Sequence, residues 1–455
     1  MGFSAWQWFA TKRKDLAPVG SLRARFALGV SWSVAGAVIS RGFTLVASIV
    51  CARFLGKQCF GQLGMIQSTV GTFGIFAGLG LGLTATKYVA EFRGKDAGKV
   101  GRILALSSVV ALISSAAMAL VLIAFARPVA SRILAEPHLT RPLIIGSGLV
   151  FFGGLNGAQT GALAGFEAFQ TIARVNVLVG LWSFALVVVG VWRWGLIGAV
   201  WALVLTMAVN WILNNRALRK ECGLSRISLD FRKCFGERTV LRAFTLPAFL
   251  ASIVVGPALW FCNTFLVRQP GGYSQLGLYT AADRWRLLIL FLPTSAFGML
   301  VPLLSNLYGS SGHQQFQRVF RANLLLNSGL AAIPSILVMI FAKAIMAFYG
   351  TSFRVGWPTL MILAISTIPE AANNVYMARL ISVGRTWCRF GLDVGLAIAA
   401  IFLASLWIPK WGAAGLAAAY GTAMLALCCF QVLLTYRENL NQSALVMPSG
   451  RTIVD

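Results

Sequence analysis

Acidic residues are scarce in this sequence: 13 Asp and Glu stand against 39 Lys and Arg in 455 residues, and there are two histidines. Acid–base and metal chemistry is built from carboxylate pairs and imidazole clusters, so this scarcity argues against an enzyme. There is no Ser/His/Asp arrangement, no pair of external carboxylates and no phosphate-cradling Gly-x-x-x-x-Gly-Lys-Ser/Thr. The eight cysteines form no Cys-x-x-Cys, and most lie in or near apolar runs, where a thiol acts as a small hydrophobe. A disulfide framework, a metal site and a cofactor are all unexpected. Long hydrophilic stretches are missing as well, and the longest loop, 215–242, leaves no room for a separate catalytic domain.

The remainder is apolar. Hydrophobic residues make up 58% of the chain, charged residues 11%, and the mean hydropathy is +0.77. Apolar runs of about 20 residues, enough to cross a hydrocarbon core of roughly 30 Å, recur along the whole length. Twelve spans are expected, at 27–51, 62–86, 103–125, 142–165, 175–194, 195–214, 243–267, 276–304, 322–342, 356–380, 389–408 and 411–434. Spans 5 and 6 are separated only by Arg193-Trp194. Lys12-Arg13-Lys14 precede a long apolar segment without a small-residue cleavage site, so the first span is expected to remain as an anchor.

The net charge of +26 raises the question of nucleic acid, but its distribution points to the membrane. Placing both termini in the cytoplasm puts about two thirds of the Lys and Arg inside, as the positive-inside rule requires. Basic loops beside anionic membrane lipid need no nucleic acid to explain them. His138 then falls outside and His313 inside, too far apart to share a ligand.

The two halves resemble each other at nearly constant offset. Gln62-Leu63-Gly64 recurs as Gln275-Leu276-Gly277, Ala126-Arg127 as Ala342-Lys343, and Trp194-Gly195 with Gly198 as Trp411-Gly412 with Gly415. With six spans per half, the second half starts on the same side as the first, so the repeat is parallel. The expected architecture is all-α and polytopic, with two parallel six-helix lobes around a central cavity. Its parts are a cytoplasmic N-terminal segment (1–26), an N-lobe (27–214), a basic cytoplasmic linker (215–242), a C-lobe (243–434) and a cytoplasmic tail (435–455). Interior prolines occur only in the second half, at Pro247, Pro257, Pro293, Pro302, Pro334 and Pro369, and mark candidate bends.

Charges inside the apolar spans are the candidate chemistry. Arg41 lies about 20 Å into span 1 at 1.5 Å per residue, and Arg284 and Arg286 sit in the outer half of span 8. A guanidinium at that depth is costly unless it is paired or faces water. Two readings follow: an anion site for a phosphate or diphosphate, gripped bidentately by arginine, or structural ion pairs such as Arg286 with Asp283 and Arg41 with Glu370. Asp283 and Glu370 are also candidates for binding a coupling proton or sodium ion. Asn373 and Asn374 extend the polar stripe of span 10. Gly71, Gly74, Gly78 and Gly82 share one face of span 2. Gly153, Gly157, Gly161 and Gly165 share one face of span 4. Close helix packing is expected there, with Asn156 and Gln159 as candidate polar lining of a sugar-accessible cavity.

Within the first hairpin, Ala52-Arg53-Phe54-Leu55-Gly56, Phe60-Gly61, Gly78-Leu79-Gly80-Leu81-Gly82 and Lys87-Tyr88-Val89-Ala90-Glu91 resemble the polysaccharide (Wzx-type) flippases of the multidrug/oligosaccharidyl-lipid/polysaccharide exporter superfamily. The span count and the repeat extend the similarity over nearly the whole chain. The resemblance implies a bacterial plasma-membrane protein that moves an undecaprenyl-diphosphate-linked oligosaccharide between leaflets by alternating access. It further implies cooperation with a polysaccharide polymerase and other assembly proteins. Arg41, Arg284 and Arg286 are then the expected diphosphate site. The alternative is an ion-coupled multidrug antiporter of the same superfamily, a branch that commonly uses first-lobe acids. Spans 1–6 contain none.

Overall fold

The computed structural model describes residues 22–237, 249, 253–310 and 313–446. Most of the expected N-terminal segment, the end of the linker with Arg238 and Arg242, Pro247, and the last part of the tail lie outside the described residues. The described residues are helical almost throughout, without strands. Seven helical stretches are long and apolar enough to cross a bilayer. Three of them are hairpins of two crossings each. Leu22–Gly78 turns at Gly56, Phe169–Leu224 at Gly195 and Thr386–Val446 at Gly412. The apolar helix Val255–Val267 and the consecutive helices Gly272–Ile289 and Phe291–Ser310 supply spans 7 and 8, completing the twelve.

The turns are made by glycine because each needs a backbone that an L side chain resists. Gly195 has φ 57° and ψ −132°, and Gly412 has φ 53° and ψ −122°. These two glycines are the repeat partners found in the sequence, and the chain reverses at both in nearly identical geometry. Behind each turn the two limbs approach backbone to backbone. A Cβ on Gly198 would sit 1.9 Å from the Gly190 carbonyl oxygen, and one on Gly415 would sit 2.3 Å from that of Trp407.

The fold departs from the expected spans in detail. Spans 2 and 8 were expected to be continuous, yet both are interrupted. The break in span 2 is at Leu79 and Gly80, with φ 45° and 71°, between Gly78 and Leu81. In span 8 it falls at Leu290. Span 6 continues to Leu224, well past the expected end at 214. The linker then folds back onto the N-lobe. Ile227 and Cys234 are buried, and Arg102 bonds Glu237 at 3.1 Å. Among the prolines, Pro257 and Pro293 occupy the first turns of their helices, where a missing N–H costs nothing. Pro334 and Pro369 lie inside helices that run through without interruption. The chain is broken at Leu79-Gly80 and at Leu290, whereas Pro257, Pro293, Pro334 and Pro369 interrupt no helix.

Span 4 packs as its glycine spacing predicts. A Cβ at Gly161 would lie 2.1 Å from the Gly82 carbonyl oxygen, and one at Gly165 would lie 2.9 Å from that of Thr86. Thr86 Oγ1 donates to the Gly161 carbonyl at 2.9 Å, tying the two helices together. Gly153, at the far end of the stripe, faces open space.

Candidate functional site

The lobes meet along spans 2 and 8. A Cβ on Gly61 would stand 1.8 Å from the Tyr273 carbonyl oxygen, and one on Gly277 would stand 2.0 Å from that of Lys57. The contact is reciprocal, Lys57 and Gly61 meeting Gly277 and Tyr273, which pairs Gly61 with Gly277 and shifts the register three residues from the Gln-Leu-Gly match that pairs Gly64 with Gly277; at this register the contact is pseudo-symmetric. One turn further, a Cβ on Gly64 would be 2.4 Å from Thr280 Oγ1. The next contact is a hydrogen bond from the Arg284 guanidinium to Gln67 Oε1. Around this zipper, Phe60 packs against Tyr349 and Phe353 with ring centroids 6.4 and 6.0 Å apart. Tyr273 donates to the Leu134 carbonyl at 2.8 Å, Asn263 to Ser68 Oγ at 3.0 Å and Trp260 to Thr69 Oγ1 at 3.0 Å. The Gly56 end of the interface is therefore sealed.

Beyond Gln67 this face of span 2 is open, while its other side stays against span 7: a Cβ on Gly256 would lie 2.3 Å from Ile75 Cδ1, and the Phe76 and Phe249 ring centroids are 5.9 Å apart. Gly71, Gly74 and Gly78 continue the Gln67 face at helical spacing, and a Cβ on any of them would meet nothing within 4 Å. Span 8 leaves span 2 here, and a cleft opens between the lobes. Arg284 stands at its closed end. Arg41 stands further down, its guanidinium 5.8 Å from the centre of the Phe291 ring. Phe291 opens the helix that follows the break at Leu290, so Arg41 meets span 8 just beyond that break. Neither arginine has a carboxylate partner among the described residues, Arg41 is exposed, and the buried Nε of Arg284 lacks an acceptor.

Arg286 does not join them. Two residues rotate a helix by about 200°, so positions 284 and 286 face nearly opposite directions. Arg286 points into the C-lobe, where Nε bonds Asp283 at 2.7 Å and Nη1 bonds both oxygens of Glu370 at 2.8 Å. The Tyr420 hydroxyl lies 3.2 Å from Nη1, and the guanidinium is 5.0 Å from the Tyr420 ring centre. The group is buried, with two carboxylates for one cation. Glu370 thus takes Arg286 as its partner, in place of the pair with Arg41 that the sequence suggested.

The four amides also settle within lobes. Asn156 donates to the Met207 carbonyl at 3.0 Å and accepts from Asn214 at 3.2 Å, joining spans 4 and 6. Gln159 pairs with the Trp211 carbonyl and indole N–H, both at 3.2 Å. These two residues pack the N-lobe and leave the cleft to others. Asn373 accepts from Gln431 at 2.9 Å between spans 10 and 12, with Asn374 partly exposed beside it. The sequence reading missed Gln67 and Tyr420. Gln67 was legible, since it shares the helix face of Gly71, Gly74 and Gly78. Nothing in the pattern around Tyr420 marked it.

Twelve crossings in two pseudo-equivalent lobes define the class of two-lobed polytopic transporters. The fold is shared with solved members of that class: an inward-facing multidrug resistance MATE family transporter of the MOP superfamily matches at TM-score 0.73 and 15% identity, over 89% of this chain and 96% of that one. An outward-facing transporter of the same description matches at TM-score 0.67 and 15% identity, over 92% and 96%. Residues 26–308 match the family described as polysaccharide biosynthesis protein, and the chain belongs to that family. The EPS I polysaccharide export inner membrane protein EpsE of Ralstonia nicotianae is 24% identical over 424 residues, covering 91% of this chain and 94% of the relative.

Proposed function

We propose that this protein flips an undecaprenyl-diphosphate-linked oligosaccharide across the bacterial inner membrane for surface polysaccharide synthesis, with Arg41 and Arg284 receiving the diphosphate. What supports the reading is a pair of guanidiniums without carboxylate partners among the described residues, one from each lobe: Arg41 beside Phe291 and Arg284 on Gln67. An unpaired arginine inside a bilayer costs about 3 kcal/mol or more, so a water-filled cleft awaiting an anion accounts for both. Arginine is suited to the task because its planar fork matches phosphate oxygens two at a time. The open stripe of Gly71, Gly74 and Gly78 leaves room beside it for a bulky glycan.

The proposed orientation places both termini in the cytoplasm, which puts the sealed end outside and the open cleft inside. Loading then takes place from the cytoplasmic leaflet. Arg284 ends the cross-lobe zipper through Gln67, so a diphosphate that draws the guanidinium away removes the contact nearest the cargo. Substrate binding thereby weakens the outer seal, and ligand binding shifts the equilibrium only through such differential contacts. Asp283, Arg286 and Glu370 hold spans 8 and 10 as one unit while this happens. A multidrug antiporter reading finds no membrane-embedded acid in spans 1–6 to work with.

The test compares cells carrying wild type, Arg41→Ala, Arg284→Ala or no copy of the gene. The variants are expected to reach the membrane but lose surface polysaccharide, with the diphosphate-linked repeat unit accumulating inside. Normal surface polysaccharide from both single variants sinks the site. Unchanged glycans in the deletion strain sink the flippase.

A further inference from the structure

The end of the bundle opposite the termini has a charge pattern that a cleft loaded from the other side does not use. Its loops, 52–60, 127–141, 193–195, 268–271, 343–356 and 410–412, carry ten Lys and Arg side chains. All ten are exposed and none is in an ion pair, and the same loops hold a single carboxylate, Glu136. The positive-inside rule leaves such an excess on the proposed outer face unexplained.

Two of the ten, Arg127 and Arg141, meet at one cavity of about 1000 Å³ at the N-lobe's end of this face. Arg127, His138 and Arg141 line it, together with Trp194, Leu196 and Ile197, and no acid does. The apolar wall faces outward, with Trp194 65% and Ile197 41% exposed. Three residues on from Arg141, on the same helix face and toward the bilayer centre, lies Ile144, 41% exposed. Exposed apolar side chains beneath a ring of cations, with tryptophan between, mark the level of lipid headgroups.

We propose that this cavity binds the phosphate headgroup of an anionic phospholipid, with Arg127 and Arg141 on the phosphate and Trp194 and Ile197 against the glycerol and upper acyl chain. A soluble polyanion would use the cations but has no use for the lipid-facing wall directly below them, which favours the lipid. Assignment to the outer leaflet rests on the proposed orientation; the site itself does not.

The test is native mass spectrometry of the full chain, released from detergent with phosphatidylglycerol or phosphatidylcholine at matched concentrations. Wild type is expected to retain phosphatidylglycerol preferentially, and Arg127→Gln/Arg141→Gln to lose that preference by roughly tenfold, the worth of a charge-assisted contact. Arg354→Gln/Lys410→Gln, which removes equal charge from the C-lobe loops of the same face, is expected to keep it. Equal loss in the two double variants means a diffuse surface field and overturns the site. Inorganic phosphate or diphosphate displacing the lipid at comparable concentration overturns it too, because the cavity then reads phosphate alone. The transport proposal stands or fails separately, since both double variants leave Arg41 and Arg284 in place.

Discussion

Substituting Gly61 with Ala places a methyl group where the Tyr273 carbonyl oxygen now is, at 1.8 Å, and Gly277→Ala does the same against Lys57 at 2.0 Å. Carbon–oxygen contact needs about 3.5 Å, so spans 2 and 8 must part by roughly 1.5 Å. Both obstructing atoms are backbone, which removes rotamer change as an escape. Forced overpacking of this kind costs about 1–3 kcal/mol. That cost falls on the sealed conformation alone, because the contact is absent once the lobes separate at this end. The equilibrium should therefore move roughly five- to 150-fold against the sealed state. Spin labels at the exposed positions Gln58 and Thr351, in a background with the native cysteines replaced, report the gap across the seal by pulsed dipolar spectroscopy. A longer distance population should grow in each variant. Gly74→Ala is the control: it lies on the same helix with nothing within 4 Å of the new methyl, and helix propensity favours alanine. An unchanged distribution in Gly61→Ala, or an equal shift in Gly74→Ala, refutes the zipper as the gate.

Arg286→Met leaves the half-buried Asp283 and Glu370 without their cation, and because breaking a fully buried group costs about 3–5 kcal/mol, the Tm of purified protein should fall; an unchanged Tm would mean the cluster is solvated. Glu370→Gln retains a hydrogen-bond acceptor for the guanidinium, and its Tm should fall less than that of Arg286→Met. Gly161→Ala drives a methyl to 2.1 Å from the Gly82 carbonyl oxygen and should lower the Tm through about 1–3 kcal/mol of overpacking, while Gly153→Ala, facing open space, should not lower it. Arg284→Lys keeps the charge but loses the fork, and surface polysaccharide should drop below wild type yet stay above that of Arg284→Ala.

Much of the fold was legible because a bilayer permits few solutions. Backbone polar groups must be satisfied within each span, so apolar length alone locates the helices. The turn glycines were legible through the repeat: Gly195 and Gly412 stood out as matched Trp-Gly pairs before their backbone angles were known. The break at Leu290 was hidden, since it falls in the unbroken apolar run Leu287–Leu292, while the one at Leu79 lies among Gly78, Gly80 and Gly82, the first and last of which were read as part of a packing face. The site was half legible. Depth in the membrane singled out Arg41, Arg284 and Arg286, but depth says nothing about azimuth, and azimuth separates Arg284 from Arg286. Counting 100° per residue would have separated them. That Glu370 meets Arg286 was beyond reach, because it depends on how spans 8 and 10 cross.

The repeat also shows where structure ends and specialisation begins. The turn at Gly195 recurs at Gly412, the close limbs at Gly198 recur at Gly415, and the seal at Gly61 recurs at Gly277. At the offset that relates Gly61 to Gly277, however, Arg286 corresponds to Val70 and Glu370 to Gly154, and at the offset that relates Gly198 to Gly415, Tyr420 corresponds to Leu203. A Cβ at Gly154 would lie 2.1 Å from Ser115 Oγ, so the N-lobe fills with close packing the place where the C-lobe keeps an ion cluster. Arg41 and Arg284 correspond to Pro257 and Ser68, so each lobe supplies one cation to the cleft from a position its counterpart leaves uncharged. Two lobes that share their hinges but not their charges can rock symmetrically about a site that is itself asymmetric. The cargo proposed above, with a diphosphate at one end of its glycan, is asymmetric in the same sense.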